Sequence, residues 1–360
     1  MTSLKHDFQP KGRYVSRPLK NGLTGLAWES PMPRIADEHL ESVFYLYPDY
    51  AAAEAGIQAG GCGFFLNWPF ERDTQNHLYA VTNKHLITQG NWTLRVNVGA
   101  DKAIPVDTTE PYWFVHPDGD DLAVMLVEFP FTFTCKAVKP EILLTPEIVR
   151  EHAIGIGEDV YTVGRFVNHD GKQKNNPVAR FGTIAQMPIE PILQQDGHLQ
   201  ESFLCECKSV SGYSGSSVFV DIPPWSRRPG KAGISSVPGG VWLMGVNWGH
   251  LNDWKPVCDP VGRPMATPSM KVGLNSGMMG VVPAWKLKEM LEHPALINQR
   301  RRREENVLGK GPPIASSDSA SGVQTAAVQV EPDDANPDHL EDFTALLGAA
   351  AKAQSPKGQT

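Results

Sequence analysis

Long apolar runs are missing from this chain. No stretch of about 18 apolar residues occurs, which argues against a membrane-spanning helix. The polar start MTSLKHDFQPKGRYVSRP has no apolar core of signal-peptide length. Cysteine is scarce: Cys62, Cys135, Cys205, Cys207 and Cys258 form an odd set of five, a poor disulfide framework that suits a reducing compartment. The expected location is therefore the cytoplasm, with no membrane partner. An excess of positive charge is absent too. The net charge of −7 speaks against nucleic acid as a partner. Cys205-x-Cys207 lacks a second closely spaced pair, so these residues read as neighbouring strand cysteines, and neither a metal nor another cofactor is expected. Helical patterns of roughly 10–15 residues do not separate the strand-like runs, which disfavours a parallel βαβ sheet.

What is present is a long series of short β-type runs. Thirty prolines and 33 glycines in 360 residues supply the turns between them. SVFYLYPDY, GFFLNW, LYAVTN, WTLRVNVG and LAVMLVEF form a first set. VYTVGRF, PVARFGTIAQM, SFLCECK, SSVFVDI, VWLMGVNW and MMGVVP form a second. Two sets of about six strands predict a mainly β protein of two six-stranded antiparallel barrels. The expected divisions are an extended arm over 1–40, a first barrel over 41–140, a second over 141–297 and a flexible tail over 298–360. PEIVREHA (146–153) reads as a connecting helix. PAWKLKEMLEH (283–293) reads as the closing helix, with Pro283 at its first position and Trp285, Leu287 and Leu291 packing inward. Two polar inserts, 223–240 and 250–277, read as long loops. Arg300 to Arg303 read as a solvated charge cluster. Residues 306–335 read as a disordered linker, followed by a short amphipathic helix over 337–352 that can dock on its own domain or on a partner.

Three residues at the ends of these runs carry the chemistry. His85 follows the strand LYAVTN, Asp121 precedes LAVML, and Ser214 lies in Gly212-Tyr213-Ser214-Gly215-Ser216-Ser217. A serine hydroxyl needs a base within hydrogen-bond reach, and that base needs an orienting carboxylate. Histidine suits the first task because its pKa lies near neutrality. Glycines around Ser214 let the backbone turn tightly, so the NH groups of Gly212 and Ser214 can converge on a developing oxyanion. Ser216 and Ser217 rival Ser214 by residue type but lack its flanking glycines. Asp118 and Asp120 rival Asp121, which is favoured because a rigid strand follows it directly. The elbow G-x-S-x-G is not met, since Ser216 replaces the second glycine.

With its order of His, Asp and Ser, and with VTNKHL, DLAVML and GYSGSSVF around the three residues, the chain resembles the trypsin-like (chymotrypsin-fold, PA-clan) serine peptidases of the bacterial intracellular type. GGCGFF, GEDVYTVGRF, ARFGTIA and GVVPAWKLKEML extend the likeness over about residues 41–293. The resemblance implies a catalytic triad of His85, Asp121 and Ser214, with oxyanion donors at Gly212 and Ser214. It implies a substrate-pairing strand at Gly245-Val246-Asn247-Trp248-Gly249, with Asn247, Trp248 and Gly249 against an extended peptide. It also places Lys208, six residues before the nucleophile, at the base of the first specificity pocket, where a cation favours an acidic substrate side chain. The chain departs from the family at Asn83-Lys84 before the histidine, at Ser217 after Ser-Gly-Ser, and at Tyr213, which replaces the usual support of the oxyanion loop.

The implied function is a serine endopeptidase that acts on protein or peptide substrates through an acyl-enzyme. A pseudo-peptidase that binds a peptide or partner without cutting it, and an esterase using the same three residues, are the alternatives.

Overall fold

The computed structural model describes residues 15–18, 24–27, 35–99, 102–127, 136–166, 171–194, 197–207, 212–223, 239–258 and 271–309. The chain divides into a short N-terminal unit, 1–37, and a main unit, 38–360. The short unit contains an antiparallel hairpin of β1 (Val15–Pro18) and β2 (Thr24–Ala27). The helix proposed over 337–352, residue Lys208 and most of the insert 223–240 lie outside the described residues.

The first half of the main unit begins with α1 (Asp37–Glu41), β3 (Val43–Tyr47), α2 (Tyr50–Ala55), β4 (Gly61–Pro69) and β5 (Asn76–Thr82). It continues through α3 (Lys84–Thr88), β6 (Thr93–Val98), β7 (Lys102–Val106), β8 (Phe114–Val115) and β9 (Ala123–Val127). β3 and β9 are buried along their whole length. That explains why VFYLY and AVMLV show no polar alternation: both faces of the sheet are covered. One face packs Phe44, Phe65, Leu94, Trp113 and Met125 into a common core, and each such side chain contributes about 2 kcal/mol by burial.

The strands form a seven-stranded sheet in the order β7-β6-β3-β4-β5-β9-β8. A closed six-stranded barrel, expected here, is not shown by the described residues. Among the described residues β7 pairs only with β6 and β8 only with β9, so no ladder joins the two edges.

The second half is a closed barrel, as the strand series predicts. After α4 (Pro146–Glu151), its elements are β10 (Asp159–Gly164), β11 (Val178–Gln186), the small hairpin β12 (Ile192–Leu193) and β13 (Leu199–Gln200), β14 (Phe203–Glu206), β15 (Ser217–Ile222), β16 (Gly240–Pro256) and β17 (Lys271–Pro283). Six of these strands close in the order β10-β11-β14-β17-β16-β15. Within the insert 250–277, read as a loop, residues 250–256 and 271–277 are strand, and 259–270 lie outside the described residues. β16 and β17 stay paired from Asn252↔Asn275 out to Pro256↔Lys271. This outer part is mostly solvent-exposed, so burial imposes no alternation that would mark it in the sequence.

Segment 136–145 ties the halves together. Val138 NH donates to Phe65 O at 2.8 Å and Leu144 NH to Leu243 O at 2.9 Å. The barrel ends in α5 (Ala284–Leu291), which buries Ala284, Leu287, Met290 and Leu291. Pro283 is its N-cap, one residue earlier than expected. Trp285 meets Phe203 edge-on.

Helix α6 (Pro294–Gly309) follows, and it corrects the tail boundary at 298 and the solvated reading at Arg300 and Arg303, while Arg301 and Arg302 are exposed as expected. Arg300 is only 5% exposed and Glu304 only 3%. Positions 300, 303 and 304 share a helix face, and that face lies on β4 and β5. Arg300 donates to Tyr79 Oη at 3.1 Å and lies 5.5 Å from the Trp68 ring centre. Glu304 accepts from Glu71 NH at 3.0 Å and pairs with His77 Nε2 at 2.9 Å, while Arg303 faces His77 Nδ1 at 3.0 Å. Among the described residues, no helix is long and apolar enough to cross a membrane.

Candidate active site

Pairing of β5 with β9 decides where His85 and Asp121 meet. Thr82, the last residue of β5, lies opposite Ala123, the first of β9. His85 enters α3 three residues after Thr82, and Asp121 precedes Ala123 by two. Both side chains therefore stand at one end of the same ladder.

Helix α3 starts at Asn83 with no side-chain cap of its own. Its exposed donor at His85 NH is taken by Asp121 Oδ1 at 2.9 Å, and Asp121 Oδ2 lies 2.7 Å from His85 Nδ1. A carboxylate at a helix start is favoured by the unsatisfied NH groups there. Because that carboxylate accepts, the ring proton sits on Nδ1 and leaves Nε2 as the acceptor. Asn83 Nδ2 donates to Asp121 O at 2.8 Å, and Gln200 Oε1 accepts from Asp121 NH at 2.8 Å.

Ser214 comes from the barrel half. Its turn has left-handed glycines at Gly212 (φ +90°) and Gly215 (φ +84°). Gly215 has no room for a side chain: a Cβ there would lie 1.8 Å from Cys62 O and 2.5 Å from Thr82 Oγ1. Ser216 NH donates to Tyr213 O at 3.0 Å, and Gly215 NH to Asn247 O at 2.9 Å. Cys62 NH, from the sheet half, donates to Ser214 O at 3.0 Å. The Cys62 thiol lies 3.2 Å from Ser216 Oγ, and burial pushes its pKa up, so it stays a neutral thiol.

The Ser214 hydroxyl points to Trp248 O, 3.4 Å away. Among the described residues it makes no hydrogen bond with His85. Both side chains nevertheless line one cleft of about 620 Å³, together with Asp121, Gly212, Trp248 and Gly249.

The other sequence candidates fall elsewhere. Ser216 and Ser217 are buried and do not line the cleft. Asp120 turns away from His85; its Oδ1 meets His198 Nε2 at 3.1 Å and Gln200 Nε2 at 3.0 Å. Asn247 is fully buried and does not line the cleft. It braces the Ser214 turn, with Nδ2 donating to Tyr213 O at 3.2 Å and Oδ1 accepting from Gly249 NH at 2.8 Å. Tyr213 is buried, its ring 4.9 Å from the Arg180 guanidinium carbon. Burial raises the Tyr213 phenol pKa, with Arg180 opposing the rise. This packing fixes the Tyr213 ring beside the Ser214 turn.

Gln200 and His198 are missing from the sequence reading. They lie about 80 positions from Asp120 and Asp121, in a short hairpin without a motif. Gly119 belongs with them: it adopts φ +95°, and a Cβ there would stand 3.2 Å from the His198 ring.

No protein-family model matches the chain, and no curated protein matches it either. Solved structures do resemble it. The apo MamO protease domain from Magnetospirillum magneticum is 15% identical with a TM-score of 0.41, over 71% of this chain and 98% of that one. Deg5 is 14% identical with a TM-score of 0.37, over 59% of this chain and 81% of that one. The HtrA-type protease AlgW, solved with a decapeptide, is 15% identical with a TM-score of 0.34, over 65% of this chain and 51% of that one.

Proposed function

We propose that the chain is a serine endopeptidase, with His85, Asp121 and Ser214 as its triad. The observation that carries this reading is the two-point bond from Asp121 to His85 on one wall of a cleft to which the glycine-flanked Ser214 turn contributes. In the proposed reaction the Ser214 hydroxyl swings from Trp248 O to His85 Nε2. His85 takes its proton as the oxygen attacks a peptide carbonyl, and Asp121 stabilises the imidazolium. The NH groups of Gly212 and Ser214, which donate to no other described residue, hold the tetrahedral oxyanion. His85 then protonates the leaving amine, and water releases the acyl group. Trp248 and Gly249 form the wall along which an extended peptide lies.

The test is turnover of a mixed peptide library by the full chain and by Ser214→Ala. The variant should keep its fold and lose roughly 10⁴- to 10⁶-fold in kcat. Equal turnover by both would overturn the assignment. A second reading, a peptide-binding module that does not cut, draws on the resting bond from Ser214 to Trp248 O. It predicts peptide binding by both proteins and cleavage by neither.

A further inference from the structure

We infer that Gln200 is a positioning residue that fixes the Asp121–His85 pair from the barrel side. The inference rests on the peptidase reading for its catalytic consequence, but not for its geometry. Gln200 is fully buried and sits on β13, in the half of the molecule that supplies neither Asp121 nor His85. Its amide oxygen accepts from Asp121 NH at 2.8 Å. Its amide nitrogen donates to Asp120 Oδ1 at 3.0 Å and to Glu201 O at 3.1 Å.

These partners allow one orientation of the amide. Asp121 NH can only donate, while the Asp120 carboxylate and the Glu201 carbonyl can only accept. Asp120 is itself held by four neighbours. His198 Nε2 and Gln200 Nε2 reach its Oδ1, and His116 Nδ1 and Lys286 Nζ stand 3.6 Å and 3.8 Å from its Oδ2. The rival aspartate of the sequence thus becomes the residue that orients Gln200.

Gln200 works together with Asn83. One holds the NH of Asp121 and the other its carbonyl, so the main chain that carries the catalytic carboxylate is pinned on both sides. Without Gln200 the part-buried NH of Asp121 loses its partner and the segment Asp118–Asp121 relaxes. A displacement of about 1 Å in such a constellation costs about 100-fold in rate.

The experiment uses the full chain as wild type, Gln200→Leu and Gln200→Glu. It reads peptide kcat and KM, and the downfield proton resonance of His85 Nδ1–H. In Gln200→Leu the resonance should vanish or move upfield, and kcat should fall about 100-fold with KM nearly unchanged. In Gln200→Glu at neutral pH, repulsion from Asp120 should do the same. The resonance should return on acidification, because a protonated Glu donates to Asp120 and accepts from Asp121 NH. An unchanged resonance in the folded variants overturns the inference. If Gln200→Leu does not fold, Gln200→Glu decides alone. If the wild type cleaves nothing, the peptidase reading fails and the resonance still decides this one.

Discussion

The sheet half and the barrel half prepare their side chains to different degrees. On the sheet side, His85 and Asp121 already share two short hydrogen bonds. On the barrel side, the backbone of the Ser214 turn is equally fixed, yet its hydroxyl rests on Trp248 O. The His85–Asp121 pair is bonded as it stands, whereas in the proposed peptidase reading the Ser214 hydroxyl must turn from Trp248 O toward His85. That kind of motion is fast compared with typical enzyme turnover. The architecture differs in parallel. The barrel closes on itself and has no free edge. The sheet, whose edge strands do not pair with each other among the described residues, instead carries α6, whose Arg300, Arg303 and Glu304 reach Tyr79 and His77 on β5.

Breaking the prepared half should have the largest effect. Asp121→Asn keeps the shape but cannot select the Nδ1–H tautomer, so kcat should fall about 10⁴-fold in steady-state assays. The barrel turn should be the next most sensitive. Gly215→Ala forces a Cβ to within 1.8 Å of Cys62 O at φ +84°. It should cost about 3 kcal/mol in urea denaturation and abolish Ser214 reactivity. Glu304→Ala strikes the support of the sheet and leaves the cleft untouched. It strands the donors His77 Nε2–H and Glu71 NH and should cost about 3 kcal/mol.

The pH dependence sharpens the same contrast with a smaller effect. Burial lowers the His77 pKa from 6.5 to about 4. In the folded chain His77 stays neutral, while the unfolded chain takes up its proton near 6.5. Stability is therefore present above pH 6.5 and is lost as pH falls toward 4. The Glu304 carboxyl, lowered by its bonds to His77 and Glu71 against the opposing effect of burial, adds to the loss in the same direction. Replacing His77 with a neutral residue should flatten the melting-temperature profile over that window.

Much of this was legible in the sequence, for reasons that can be traced to particular residues. LYAVTN and LAVML read as short strands from their β-type composition, and β5–β9 pairing brings their ends together. GYSGSS marked a tight turn through its glycines, and Gly212 and Gly215 both have positive φ. The seven-stranded order of the described sheet was not legible, since strand runs of similar length do not say which edges pair. The arginine run misled in part because Arg300 and Arg303 lie over the Trp68 and Phe70 rings across the interface, while Arg301 and Arg302 are exposed. Gln200 gave no signal, because its partners Asp120 and Asp121 lie about 80 residues away.

The most direct test is labelling of the full chain by a fluorophosphonate, mapped by peptide mass spectrometry, in wild type and in His85→Ala. The account predicts modification of Ser214 alone in the wild type and its loss when the imidazole is removed. An unlabelled wild type, or labelling of Ser214 at the same rate without His85, would contradict it.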